Sequence, residues 1–161
     1  MRKSLVLVIS LSLVCSLIIY PQINQVVAEE QSDRKEVVHF LEKLKSILSE
    51  NKEKIFEKYT LFQIAQSKVD IGKMRSSSIE MAEVIEQTQR GIAALSVPVS
   101  CGRLYSLVIG LHQAQAEAYI AAANLDSEGS QERMKNLLEV NNAYKEELSR
   151  VTELYNVTIF D

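Results

Sequence analysis

LYSLVIGLHQAQAEAYIAAANL, residues 104–125, is the stretch whose reading decides the fold. On a helical wheel its apolar residues leave only a narrow polar strip, made by Ser106, Gly110, Gln113, Glu117 and Asn124. A helix that is hydrophobic nearly all round belongs in an interior, so the rest of the chain must supply its surround. Its second half is built from Ala114, Ala116, Ala118, Ala121, Ala122 and Ala123, which lets neighbouring helices approach closely. Between residues 29 and 161 the only proline is Pro98, and apolar residues recur at helical rather than alternating spacing. The fold class this predicts is all-α: an up-down antiparallel bundle of about four helices.

Working towards the N-terminus, Met81, Val84, Ile85, Thr88, Ile92 and Leu95 mark a second helix, separated from residue 104 by a turn around Pro98. Ser100 is the expected cap of the helix that follows. Upstream, Val37, Leu41, Leu44, Leu48, Ile55, Tyr59, Phe62 and Val69 keep one phase, about one residue's rotation away from the second stripe. The change of phase places a turn near residues 71–77, with Ser77 and Glu80 as a capping box. Asp33 and Glu36 form a similar pair at the start of the first helix. Towards the C-terminus, Asp126 to Ser130 reads as a turn, and Met134, Leu137, Asn141, Tyr144, Leu148, Val151 and Tyr155 form the seam of the last helix. The tail 155–161 reads as a short extended end that folds back onto the bundle or frays.

These boundaries leave the first helix nearly 40 residues long, overhanging its neighbours by roughly 25 Å at 1.5 Å per residue. The overhang carries Val37, Val38, Phe40, Leu41, Leu44, Ile47 and Leu48, too apolar a stripe to leave in water. A bend near residues 49–52 would fold it back. If the helix projects instead, those seven residues are the expected interaction surface for another protein or a second copy.

The N-terminus reads as an export signal: Arg2 and Lys3, an apolar run from Leu5 to Ile19, then a polar stretch closing on Val26-Val27-Ala28. The run is shorter than a bilayer span, so residues 1–28 are expected to be cleaved rather than to anchor the chain. Lipid attachment at Cys15 is disfavoured by Val14 before it. The expected destination is periplasmic or extracellular, with contact to a membrane only if the segment stays attached. Residues 29–161 then form a single domain. It keeps 16 Lys+Arg against 21 Asp+Glu, because Arg2 and Lys3 leave with the signal, and its net charge is −5. A mildly acidic exported domain without a basic run is a poor nucleic-acid binder.

No residue set amounts to a reaction. Glu36-Val37-Val38-His39 has the E-x-x-H spacing of di-metal bundles, but His112 has Ile109 three positions before it, so the second copy is missing. No C-x-x-C-H occurs for haem attachment, and Cys101 and Ser76 to Ser78 have no base beside them in sequence. No catalytic residue, cofactor or metal is expected. Cys101, the single cysteine of the mature part, reads as a buried core residue or, as the alternative, a redox-sensitive or dimer-forming thiol. Gln115 and Asn141 interrupt the apolar arcs of the third and fourth helices and lie equidistant from residue 128, so they are expected to hydrogen-bond across the core and fix the register. The functional expectation is a non-enzymatic exported protein that binds another protein or itself. The alternative is a carrier or sensor of a small apolar molecule held within the bundle.

Overall fold

The computed structural model describes residues 2–124 and 126–158, with side chains from Ser32 onward except those of residues 127, 128 and 130. Its elements are α1 (Arg2–Ser67), α2 (Ile71–Ala93), α3 (Gly102–Ala123) and α4 (Ser127–Leu154), with a 3-10 turn over Val99–Cys101. The chain is all-helical, with no strand among the described residues. It divides into two compact units, Met1–Glu36 and Val37–Asp161, of which the second is the helical bundle. The side chains on which the export signal was read lie outside the described residues.

Aspartates make both tight turns. The Asp70 N–H donates to the Ala65 carbonyl (2.9 Å) and closes α1, while its side chain accepts from the Lys73 N–H (3.1 Å) and opens α2. Asp126 repeats the device, with its N–H on the Ala121 carbonyl (3.1 Å) and its carboxylate accepting from the Gly129 N–H (2.9 Å). One residue thus satisfies a free carbonyl of the helix behind it and a free amide of the helix ahead. The turn expected at 71–77 is therefore earlier than the Ser-rich stretch suggests. Ser77 and Ser78 lie buried within α2, and Glu80 serves not as a cap partner but as the acceptor for Lys58 of α1 (2.9 Å) and for the Ser76 hydroxyl (3.1 Å). Ser100 likewise lies inside the 3-10 turn, and the residue preceding α3 is Cys101. Asp33 opens no helix, because α1 runs through it: residues 29–36 include good helix formers and no proline or glycine.

The principal core lies at one end of the bundle. Val37, Phe40, Leu41 and Leu44 of α1, Ile92 of α2, Cys101, Leu104 and Val108 at the start of α3, and Val151 of α4 form a single buried cluster. Leu95 and Val97 from the α2–α3 connection, and Tyr155 and Val157 beyond α4, close over it. Below this cluster Glu147 of α4, only 3% exposed, accepts two bonds from Arg150 (3.0 and 2.6 Å) and faces Arg103 of α3 at 3.6 Å. The Arg150 hydrogen bonds outweigh burial and hold the Glu147 carboxyl below the usual glutamate range.

This core overturns the expected projecting surface. Val37, Phe40, Leu41 and Leu44 are at most 2% exposed, Ile47 and Leu48 pack against them, and Val38 is half-buried. Nor does the chain break and fold back, since residues 49–52 are continuous α-helix. The overhang vanishes because α2 begins seven residues earlier than expected, with Asp70 rather than Ser77 as its cap, and the α2–α3 connection and C-terminal end supply the missing wall. Residues 47 and 91 are equidistant from Val69, and Ile47 indeed lies over Gly91, 3.4 Å from where a Cβ would sit.

Two stability outcomes follow from these positions. Phe40→Ala is expected to cost about 3–5 kcal/mol in urea unfolding, as a core truncation does, whereas a residue on a projecting surface would cost the isolated chain little. Val69 sits at φ 56° with 77% of its surface exposed. A β-branched residue is strained there while Gly is not, so Val69→Gly is expected to raise stability by about 1 kcal/mol, read as a higher urea midpoint at unchanged slope.

Candidate functional site

Away from the principal core the packing opens into a cleft of about 410 Å³ bordered by all four helices. Leu48, Asn51 and Ile55 come from α1, Ile85 and Thr88 from α2, Val108, Leu111, His112 and Gln115 from α3, and Tyr144 from α4. Lys45, Ser49 and Lys52 complete its border on α1. Helical spacing accounts for the α3 contribution: residues 108, 111, 112 and 115 are one face of that helix.

Most of the polar groups on this face are satisfied by their own helices. The Asn51 side chain donates to the Ile47 carbonyl (3.1 Å), and the Thr88 hydroxyl donates to the Val84 carbonyl (2.8 Å). His112, 5% exposed, places Nδ1 2.7 Å from the Val108 carbonyl. A carbonyl only accepts, so Nδ1 carries the proton and Nε2 of the neutral ring is a bare acceptor. Burial pushes the His112 pKa below the ordinary imidazole value, the Val108 bond opposing it, so the ring is neutral near pH 7. Burial also raises the Tyr144 phenol, which stays protonated. At the far end of α3, Tyr119 is raised by burial and by its neighbour Tyr59 on α1.

A second groove, of about 600 Å³, shares Leu111 and Gln115 with the first and runs along the first half of α4 past Met134, Leu137, Leu138 and Asn141. Met134 and Leu138 are 58% and 60% exposed. They lie four residues apart, hence on one face of the helix. On α1 a third depression is lined by Phe56 and Leu61 among charged neighbours.

The structure brings Gln115 and Asn141 to the same groove, as their spacing predicts, but both are half-buried and no hydrogen bond joins them. They stand on the walls of an open groove rather than inside a closed seam. Cys101 is fully buried within the principal core, so its thiol has no surface for a partner unless that end opens. His39 is exposed, and among the described residues no three of His, Cys, Asp and Glu gather as metal ligands. What the sequence did not reveal is the cleft around His112. Its signal was present as one polar residue within or beside each apolar stripe, at Asn51, Thr88, His112 and Tyr144.

No family model, curated protein or solved structure matches the chain.

The lowered pKa of His112 carries a linkage. The unfolded chain regains the ordinary imidazole value and takes up a proton at a pH where the folded ring does not, so stability declines as pH falls below that ordinary value. The decline from this group ends once pH is beneath the folded pKa. Urea midpoints measured between about pH 7 and 5 are expected to drop more in the wild type than in His112→Leu, which cannot titrate there.

Proposed function

We propose that this is an exported, non-enzymatic bundle protein that acts by binding another protein or a second copy of itself, with α3 and the first half of α4 as the contact surface. The observation that carries the reading is the pair Met134 and Leu138, held out from α4 at more than half exposure above a groove floored by Leu111. Large apolar side chains that line a groove in register suit the apolar face of an incoming helix, which docks through anchors at the same spacing. The stripe at residues 37–48 has no part in this surface, because the bundle's own core uses it. Export rests on the tripartite layout of residues 1–28.

A second reading is favoured by the cleft around His112. Its volume, about 410 Å³, falls in the range of small-molecule sites, roughly 300–1,000 Å³, and its walls mix apolar side chains with a few polar groups. On that reading the bundle carries or senses a small apolar molecule.

The first reading is tested with the double variant Met134→Lys/Leu138→Lys. Both side chains are already exposed, so each substitution is expected to change stability by no more than about 0.5 kcal/mol. Light scattering after size exclusion, with crosslinking in the exported fraction, is expected to show an assembly for the wild type and its loss in the variant. A wild-type chain that remains monomeric at every concentration and crosslinks to nothing overturns the reading.

A further inference from the structure

This inference rests on the second reading above and adds what the molecule in the cleft must carry. Thr88 has spent its one donor, and Asn51 one of its two, on carbonyls of their own helices. His112 has spent only Nδ1, and Nε2 has no partner among the described residues. Among those residues the one side-chain nitrogen or oxygen that is wholly enclosed without a partner is Ser78 Oγ, so His112 Nε2 is not sealed in the core. It keeps access to open space, and the open space that His112 borders is the cleft. Water can reach Nε2 there, and a molecule that enters the cleft and displaces that water leaves the nitrogen unsatisfied unless it brings a donor of its own.

The surroundings narrow the class of donor. Leu48, Ile55, Ile85, Val108 and Leu111 give the cleft apolar walls suited to a hydrocarbon or aromatic body. Two lysines and no carboxylate stand among its lining residues, which disfavours a cation. The lone pair of Nε2 repels an anionic oxygen placed against it, so the group that meets it is a donor. We propose that this cleft binds a neutral molecule with an apolar, ring-sized body and one hydroxyl or N–H group, which donates its proton to Nε2 of His112.

Three probes separate the parts of this statement: phenol, which has the ring and the donor; anisole, which keeps the oxygen but has no proton on it; and toluene, which has neither. Each is titrated into the full-length chain labelled with ¹⁵N-histidine. The chain has only two histidines, so the His112 signal is read against His39, which is exposed. Phenol is expected to bind about three- to tenfold more tightly than anisole or toluene, the usual yield of one neutral hydrogen bond. It is also expected to move the Nε2 resonance of His112, which toluene leaves in place. In His112→Phe the preference for phenol disappears while toluene binding persists. If phenol binds no better than anisole and toluene, or keeps its advantage in His112→Phe, the role of His112 is overturned and the cleft as a small-molecule site survives. Failure of all three probes to bind overturns the site itself. Should His112→Phe not fold, the wild-type spectrum decides: an unmoved Nε2 resonance under saturating phenol rejects the proposal.

Discussion

Burial of one face of α1, from Val37 to Leu44, against Ile92, Leu104, Val108 and Val151 sets the register of the whole bundle. Each of these large side chains contributes roughly 1.5–3 kcal/mol when fully buried, so sliding α1 by one turn would forfeit several at once. With that end fixed, the turn at 68–70 leaves α2 one way to return. Ile47 then meets Gly91 and Lys58 reaches Glu80. The Lys58–Glu80 pair is solvated and adds little energy, but it marks the register that burial imposes. Glu147 does the corresponding work between α3 and α4, where its carboxylate is clamped by Arg150 and faced by Arg103.

The two aspartate turns explain how short connections suffice. Asp70 and Asp126 each end one helix with a backbone amide and start the next with a carboxylate, so no spacer is needed between the two tasks. The end of α4 has the same backbone bond as the end of α1, the Val157 N–H on the Thr152 carbonyl, and there Asn156 takes φ 49°, which suits it, where α1 uses Val69 at φ 56°. A valine in that conformation is held by the helices on either side of it. It does not direct the chain there, which is why the sequence places the turn near 71–77 rather than at 68–70.

Periodicity made the fold class legible, because a nearly all-apolar α3 and an almost proline-free chain admit few other arrangements, whereas Met134, expected in the seam of the fourth helix, is 58% exposed. Boundaries were less legible. Gly72 and Ser76 to Ser78 look like breakers, yet the first sits in the opening turn of α2, and Ser77 and Ser78 are buried, where a small side chain is what close helix packing requires. Asp70 lacks the glutamate or glutamine three residues on that would have marked it as a capping box, since Lys73 stands there. That displacement of about two turns made the stripe at 37–48 look unpartnered. The cleft was hidden for a different reason: a cavity belongs to the spacing between helices, and no single helix's pattern contains it.

The distribution of side-chain size along α3 accounts for where openings occur. Its first half puts Leu104 and Val108 into the principal core, while its second half buries Ala114, Ala118 and Ala121. A buried methyl supplies about 0.8 kcal/mol, less than half of what a leucine does. The end of the bundle that holds Phe40 and Leu44 therefore carries the larger share of the stabilisation, and the smaller share falls to the rest, where Met81 and Ile85 of α2 are the large fully buried side chains outside the principal cluster. On α4 the exposed large apolar residues are Met134 and Leu138 at the second end and Leu154 at the first, just beyond the fully buried Val151. A surface at the weakly stabilising end can be given over to a ligand or a partner without drawing on the contacts that hold the register. The cleft at His112 lies at the junction, where Val108 belongs both to the core cluster and to the cleft wall, so the packed core itself forms part of the lining.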